Sequence, residues 1–313
     1  MCSNRENTMP LSKPVCSRRS FLQISCTGAL LTSLPVKADM QNNKEIGLYI
    51  TLSSEHPERT VAKVRELGFT GAEFYTNDFR PDLARQLKQA MRDYDVSSTG
   101  LMMLGPGDTI WDFYRGPETI GLVPQEFRQQ RMDAMKRASD FCVVCGIPAI
   151  ETHVGFIPEN PNNPLYDETV RALQEVVAHN KANGHTFLYH AGQETPTTLV
   201  RTIQDVGFDN QGIGLDTANL IMYDKGHPIY ALDVYGNYLK TVNAKDGLYP
   251  TNTRELGKEV QIGKGSVDFP RFIKKLKAQN FAGSILIERE TSGAAWENDV
   301  QESQQYLEKL WRD

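Results

Sequence analysis

The chain has 313 residues, of which 40% are hydrophobic and 23% are charged, and its formal net charge is −5 with a pI near 5.8. This composition is ordinary for a globular protein, and the length allows a large core within one domain. The acidic balance and the lack of a basic stripe in the sequence argue against a nucleic-acid partner, which would require clustered lysine and arginine.

Residues 1–38 have the three-part pattern of a secretory signal. Arg18 and Arg19 precede a modest apolar stretch, 24–34, and a small-residue site ending at Ala38 follows. The paired arginines resemble the twin-arginine signal, whose pathway carries folded proteins. We therefore expect cleavage before Asp39, export to the periplasm and no stable membrane insertion, since the apolar stretch is too short to span a bilayer.

From Glu45 onward, strand-like and helix-like segments alternate. The predicted strands cover 46–52, 72–75, 98–104, 149–156, 186–190, 212–220, 239–244 and 284–287. The predicted helices cover 56–67, 81–94, 125–144, 197–206, 228–238, 269–279 and 294–310. A further helix, between the fourth and fifth strands, is predicted to be capped by Asp167 and to end near residue 183. Long loops follow the third and seventh strands.

This alternation predicts parallel βαβ units. A doubly wound sheet is the alternative, but neither a dinucleotide-binding glycine fingerprint nor a P-loop follows any predicted strand. The sequence therefore favours an α/β fold in which residues 39–313 form a single-domain (β/α)₈ TIM barrel.

Polar residues collect at the predicted carboxyl ends of strands four to eight, where barrel active sites lie. They are Glu151, His153, His190, Asp216, Lys245, Asp246, Glu288 and Glu290. Burying such charges without partners is costly. A divalent cation held by Asp216, Glu288 and His190 is the simplest compensation, and these donors suit Mn²⁺, Co²⁺, Mg²⁺ or Zn²⁺. The alternative is a salt-bridge network with Lys240, Lys245 and Arg289 as counter-charges.

Several of these residues have two open interpretations. Glu151 and His153 share a strand face, so either one of them lines the site or both pair with each other in the interior. Glu290 is expected to pair with Lys245, and Asp246 to form a salt bridge that anchors its loop. The aromatic segment 111–115 is either a lid over a sugar or packing beneath its own loop.

The mature chain contains the pair Cys142 and Cys145, in Phe-Cys-Val-Val-Cys-Gly. Such a pair suggests redox or metal chemistry when it lies at a turn or a helix start. Here it ends a predicted helix, and no second pair is present in the sequence to complete a zinc site. We therefore expect two small buried core residues.

With these residues in this order, the chain resembles the xylose isomerase-like barrel superfamily of sugar isomerases and epimerases. The resemblance covers nearly all of the mature chain. It rests on Gly214-Leu215-Asp216, Lys245-Asp246-Gly247, the glycine-rich segment 263–269 and Ile287-Glu288-Arg289-Glu290.

The resemblance implies one divalent ion held by Glu, Asp, His and Glu from strands five to eight. Asp216 matches the Asp, and Glu288 matches the last Glu. His190 stands where many members have Glu, although a subgroup with a Tyr-His segment also has His. Asn243 stands where His is expected, so the resemblance implies a metal site with an amide oxygen as a weaker ligand.

The implied chemistry is proton abstraction next to a carbonyl. Because His190 replaces one of two opposed carboxylates, Glu151, His153 or Lys245 would supply the missing acid or base beside Glu288. We therefore expect an exported, metal-assisted isomerase or epimerase that acts on a non-phosphorylated sugar or keto-sugar. The alternatives are a keto-glycoside lyase, dehydratase or hydrolase, and a non-catalytic carbohydrate-binding barrel.

Overall fold

The computed structural model describes residues 44–291 and 293–313, and within them the predicted barrel is confirmed. Eight parallel strands close in the order β1-β10-β7-β6-β5-β4-β3-β2. The barrel strands are β1 (Ile46–Thr51), β2 (Gly71–Tyr75), β3 (Ser97–Met102), β4 (Ala149–Thr152), β5 (Thr186–Ala191), β6 (Gln211–Asp216), β7 (Leu239–Ala244) and β10 (Ser284–Ile287). The predicted signal, 1–38, lies outside the described residues.

The α-helices of the described residues are α1 (Pro57–Glu66), α2 (Pro81–Asp93), α3 (Gly116–Thr119), α4 (Arg128–Cys145), α5 (Pro164–Ala182), α6 (Pro196–Val206), α7 (Asn219–Met222), α8 (Pro228–Tyr235), α9 (Phe269–Ala278) and α10 (Ala294–Arg312). The four-residue helices α3 and α7 lie in the loops that follow β3 and β6, and the longer helices cover the outside of the barrel. Proline within the first turn starts most of them, since its fixed φ suits a helix start. Among the described residues, no helix has the length and apolar character needed to cross a membrane.

The prediction that Asp167 caps the fifth helix is wrong. The helix begins one turn earlier at Pro164, because the side chain of Asn163 accepts a hydrogen bond from the backbone N–H of Leu165. Asp167 lies inside the first turn and pairs with Arg171. The prediction for the cysteines is confirmed, since Cys142 and Cys145 are buried and free.

Two predicted strands end four positions earlier in the structure. β4 ends at Thr152, and β6 ends at Asp216 rather than near 220. The second difference has a clear cause. The Asp216 carboxylate accepts hydrogen bonds from the backbone N–H groups of Ala218 (2.8 Å) and Asn219 (2.9 Å), which turns the chain into α7.

The long loop after β7 contains a two-stranded antiparallel hairpin, β8 (Asp246–Leu248) and β9 (Lys258–Val260). Asp246 anchors the segment that follows, but among the described residues it does so through backbone N–H groups and not through the predicted salt bridge. Its carboxylate accepts backbone N–H bonds from Gly263 and Gly265 at 2.9 Å each and from Val267 at 3.2 Å. The hairpin is thereby held over one side of the barrel mouth.

The barrel interior carries buried polar groups as well as hydrophobic ones. Glu73 of β2 and Glu151 of β4 are 1% and 0% exposed. Glycines provide the room for them. A Cβ atom on Gly214 would lie 2.0 Å from Oε1 of Glu151, and one on Gly100 would lie 2.9 Å from Oε1 of Glu73. The interior is therefore shaped around these two carboxylates.

We expect Gly214→Ala to lower the free energy of unfolding by about 1–3 kcal/mol, because the added methyl overlaps the Glu151 carboxylate. Denaturant unfolding would measure this change. Gly226→Ala is the matched control, since its Cβ would meet Pro196 at an ordinary 3.5 Å. Equal losses in the two variants would contradict the assigned role of Gly214.

Glu194, just after β5, is a buried carboxyl at the barrel rim. It is 3% exposed, and its Oε1 has no hydrogen-bond partner among the described residues. Burial raises the pKa of Glu194 to about 8, although backbone N–H groups partly oppose the shift. The folded protein therefore holds this proton to a higher pH than the unfolded chain does.

Because the folded pKa is raised, stability is fully present below the unfolded pKa of 4.5 and is lost as the pH rises toward 8. Relative to Glu194→Gln, the wild type should lose about 1.4 kcal/mol per pH unit within that window. Unfolding curves at pH 4 to 9 measure the difference. Glu126→Gln, at an exposed position, serves as the control, and parallel curves for wild type and Glu194→Gln would refute the assignment.

Candidate functional site

A cavity of about 380 Å³ opens at the carboxyl ends of the strands, where a barrel places its active site. Aromatic and apolar side chains form most of its wall, together with a few charged groups. The lining residues are Tyr49, Tyr75, Met102, Leu104, Trp111, His153, Asn219, Met222, Tyr223, Lys245, Leu256, Gly257, Glu259, Glu288 and Glu290. This mixture is typical of a small-molecule site.

The predicted metal donors His190, Asp216 and Glu288 lie together beside this cavity. One donor atom from each lies within 4.8 Å of the others, and all three side chains are buried. β5 and β6 place His190 and Asp216, and Glu288 follows β10, where its N–H donates to the carbonyl of Ala244 (3.1 Å). This cluster could hold a metal ion.

His190 is oriented by a carboxylate beneath it. Its Nδ1 lies 2.7 Å from Oε1 of Glu151, while its Nε2 is buried, has no hydrogen-bond partner among the described residues and lies 3.5 Å from Oδ2 of Asp216. A carboxylate on one ring nitrogen and a free second nitrogen is the usual arrangement of a metal-binding histidine. Burial alone would lower the pKa of His190, but the neighbouring carboxylates of Asp216 and Glu151 raise it well above its ordinary value.

Glu151 does not pair with His153, which excludes one of the two predicted interpretations of these residues. Glu151 lies behind His190, with its second oxygen 3.3 Å from Oγ1 of Thr241. His153 lines the cavity, and its Nδ1 contacts Oε1 of Gln193 at 2.9 Å. Burial lowers the pKa of His153 well below its ordinary value, so its imidazole is neutral.

Lys245 lies among the carboxylates. Its Nζ is 3.4 Å from Oδ2 of Asp216, 3.2 Å from Oε1 of Glu288 and 2.5 Å from Oε1 of Glu290. Burial alone would lower the pKa of Lys245, but these carboxylates raise it well above its usual value, so the amine carries a proton. In return, Lys245 and His190 outweigh the burial of Asp216 and lower its pKa to about 2.

Asn243 of β7 lies below Glu288. Its Nδ2 donates to Oε2 of Glu288 at 3.0 Å and faces Oε2 of Glu73 at 3.4 Å. Its Oδ1 is buried without a hydrogen-bond partner among the described residues. Asn243 therefore positions Glu288 and also carries an unused carbonyl oxygen; its role as a ligand stays a prediction.

The expected counter-charges divide into two groups. Lys245 neutralises the site and pairs with Glu290 as predicted. Arg289 turns away and pairs with Glu259 and Asp299, and Lys240 is exposed and donates to the carbonyl of Asn237. Of the three cations in the predicted salt-bridge network, Lys245 lies at the site, and Arg289 and Lys240 do not.

The aromatic segment after β3 contributes one wall of the cavity. The Trp111 ring packs edge-on against His153, with centroids 4.8 Å apart, yet 44% of the residue is exposed. Tyr114 is 57% exposed and contacts Arg254 of the hairpin loop through its hydroxyl at 3.5 Å. The segment thus faces the cavity and reaches across its mouth.

Two carboxylates, Glu73 and Glu259, and two tyrosines, Tyr49 and Tyr75, were not among the predicted site residues. Glu73 contacts Asn243, and burial together with the nearby Glu151 raises the pKa of Glu73 well above its ordinary value. A charged residue within a short apolar strand was the available signal for Glu73. Glu259, Tyr49 and Tyr75 also line the cavity, but no spacing in the sequence links them to the strand ends.

The model of the family described as "Xylose isomerase-like TIM barrel" matches residues 61–310. Among the curated proteins, none matches the chain. A xylose isomerase domain protein from Planctomyces limnophilus has a similar structure, with 29% identity, a TM-score of 0.80, and coverage of 86% of this chain and 97% of that one.

More distant structures share the fold. The 3-keto-D-glucoside 4-epimerase of E. coli has 16% identity and a TM-score of 0.61, with 85% of this chain and 99% of that chain covered. A xylose isomerase-like TIM barrel protein from Mycobacterium smegmatis, solved in complex with magnesium, has 15% identity and a TM-score of 0.64, with 85% and 96% covered. With a family model that matches most of its length, the chain belongs to the xylose isomerase-like TIM barrel family.

Proposed function

We propose that this protein is a metal-assisted isomerase or epimerase that moves a proton next to the carbonyl of a non-phosphorylated sugar or keto-sugar. The observation that carries the proposal is the cluster of His190, Asp216 and Glu288 beside Lys245, which lies at the barrel mouth in a cavity lined by aromatic residues. The 3-keto-D-glucoside 4-epimerase with the same fold supports it.

The donors present fit a divalent ion. Among the described residues, Nε2 of His190 and Oδ1 of Asn243 are buried without a hydrogen-bond partner, and Asp216 and Glu288 offer carboxylate oxygens. One nitrogen and several oxygens suit Mn²⁺, Co²⁺, Mg²⁺ or Zn²⁺. When bound, such an ion polarises the sugar carbonyl as a Lewis acid.

Glu288 is our candidate for the general base. It reaches the cavity, and burial raises its pKa although Lys245 opposes the shift. A raised pKa brings a carboxyl closer to the value at which it both removes and returns a proton near neutral pH. We place Glu288 on one face of the carbon next to the carbonyl.

His153 and Lys245 are the candidates for the second proton transfer. The neutral imidazole of His153 lies across the cavity wall beside Trp111, and the ammonium of Lys245 donates to developing oxyanion charge. Glu151 is buried behind His190 and does not line the cavity, so we assign it to positioning His190.

The charge of the cavity supports a substrate without phosphate. Three carboxylates, Glu259, Glu288 and Glu290, line it, and Lys245 is the single lysine or arginine among the described lining residues. A phosphate group would meet repulsion from these carboxylates and would lack an arginine clamp.

We expect Glu288→Gln to lower kcat by about 10²–10⁴-fold, because the amide cannot accept the substrate proton. Turnover of a panel of ketoses and 3-keto-glycosides in D₂O is the measurement, with Mn²⁺ present. The wild type should place one solvent deuterium next to the carbonyl, and Glu66→Gln, at an exposed position, should behave like it.

A product free of solvent deuterium, or wild-type turnover by Glu288→Gln, would exclude the proposed role of Glu288. The products also separate the alternative reactions. A keto-glycoside lyase or hydrolase begins with the same proton abstraction and releases a second fragment from the glycoside, whereas an isomerase or epimerase does not.

We also propose export by the twin-arginine pathway to the periplasm, on the strength of Arg18, Arg19 and the apolar stretch after them. Fractionation of cells that express the full chain should find a periplasmic form beginning at Asp39. Arg18→Lys combined with Arg19→Lys should leave the protein in the cytoplasm, and unchanged export of that variant would contradict the signal.

A further inference from the structure

Lys245 contacts carboxylate oxygens of two residues that belong to the candidate metal cluster. Its ammonium contacts Oδ2 of Asp216 and Oε1 of Glu288. The side chain of Lys245 is 1% exposed and lies in a buried environment where charge interactions are strong. The protein therefore already holds one cation beside these carboxylates.

A divalent ion bound to Asp216 and Glu288 would lie within a few ångströms of this ammonium. Repulsion between a double and a single positive charge at that separation is large. The ion must also compete for oxygens whose negative charge Lys245 already offsets. Metal binding therefore requires the ammonium to move away from these two carboxylates.

The ammonium has a third carboxylate partner, Glu290, which lies outside the candidate metal cluster. Glu290 contacts Nζ of Lys245 at 2.5 Å, and its side chain is 63% exposed at the cavity rim. Its backbone N–H lies 3.3 Å from the Glu259 carboxylate of β9, which lines the same cavity. A short movement of the lysine side chain would leave it paired with Glu290 alone.

We propose that Lys245 is a resident cation that a divalent ion displaces from Asp216 and Glu288, with Glu290 receiving the ammonium. The inference rests on the proposed metal site. It also predicts that metal binding turns the Lys245 ammonium toward the cavity, where it faces the substrate. Lys245 thus weakens the binding of metal and couples it to the placement of a cationic donor in the substrate site.

The test is the Kd for Mn²⁺ alone, measured from the EPR signal of free Mn²⁺ with the purified full chain. Lys245→Met should bind Mn²⁺ about tenfold or more tightly than the wild type, because the competing charge is gone. Lys240→Met is the matched control, since Lys240 is exposed and contacts the carbonyl of Asn237. It should bind as the wild type does.

Glu290→Gln separates displacement from a general loss of negative charge. It should weaken Mn²⁺ binding in the wild type, because the displaced ammonium loses the carboxylate that would retain it, and have little effect in Lys245→Met. If Glu290→Gln changed the Kd equally in the wild type and in Lys245→Met, Glu290 would act only through its charge. That result would overturn the proposed displacement of the Lys245 ammonium. Glu255→Gln, which removes an exposed carboxylate of the loop between β8 and β9, should change the Kd little.

An unchanged or weaker Kd in Lys245→Met, or no Mn²⁺ binding by either protein, would overturn the proposal. Lys245→Met leaves two buried carboxylates without their cation, so folding is checked by circular dichroism. If Lys245→Met does not fold, the comparison of Glu290→Gln with Glu255→Gln tests the proposal. Equal Kd values for Mn²⁺ in these two variants would contradict the displacement of the Lys245 ammonium toward Glu290. If the Kd values follow the proposal but the product carries no solvent deuterium, the proposed reaction is wrong and the displacement of Lys245 still stands.

Discussion

The burial of carboxylates at the mouth of the barrel is the constraint on which the site depends. Asp216 and Glu288 lie where water cannot screen them, so each needs a cation or a hydrogen-bond donor nearby. Lys245 provides the charge, Asn243 provides an amide hydrogen, and His190 provides a ring nitrogen on the opposite side. Because these partners come from different strands, the site exists only when the barrel is closed.

A second set of groups below the mouth supports this arrangement. Glu151 fixes the ring of His190, and Gly214 leaves the space that the Glu151 carboxylate occupies. Above the mouth, Asp246 holds the segment after the hairpin through backbone N–H groups. Side chains within the barrel therefore position the cavity wall from beneath. From above, it is positioned by a loop whose backbone N–H groups donate to the Asp246 carboxylate.

Polarity within the barrel distinguishes this chain from a barrel filled entirely with branched apolar residues. Glu73 and Glu151 occupy interior positions, and burial together with the nearby Glu151 raises the pKa of Glu73 well above its ordinary value. The interior thus connects β2 and β4 to the catalytic end through hydrogen bonds. Such networks favour one precise placement of their members, which proton transfer requires.

The sequence alone determined the class of fold and the end of the barrel that carries chemistry, because strand and helix periodicity and the polar residues at strand ends are local signals. It also placed His190, Asp216, Lys245 and Glu288 at one rim. Only the tertiary structure separated Glu151 from His153, revealed Glu73, and turned Arg289 away while Lys245 turned inward. Those outcomes depend on which side chains from distant strands share one buried space, and no local pattern records that.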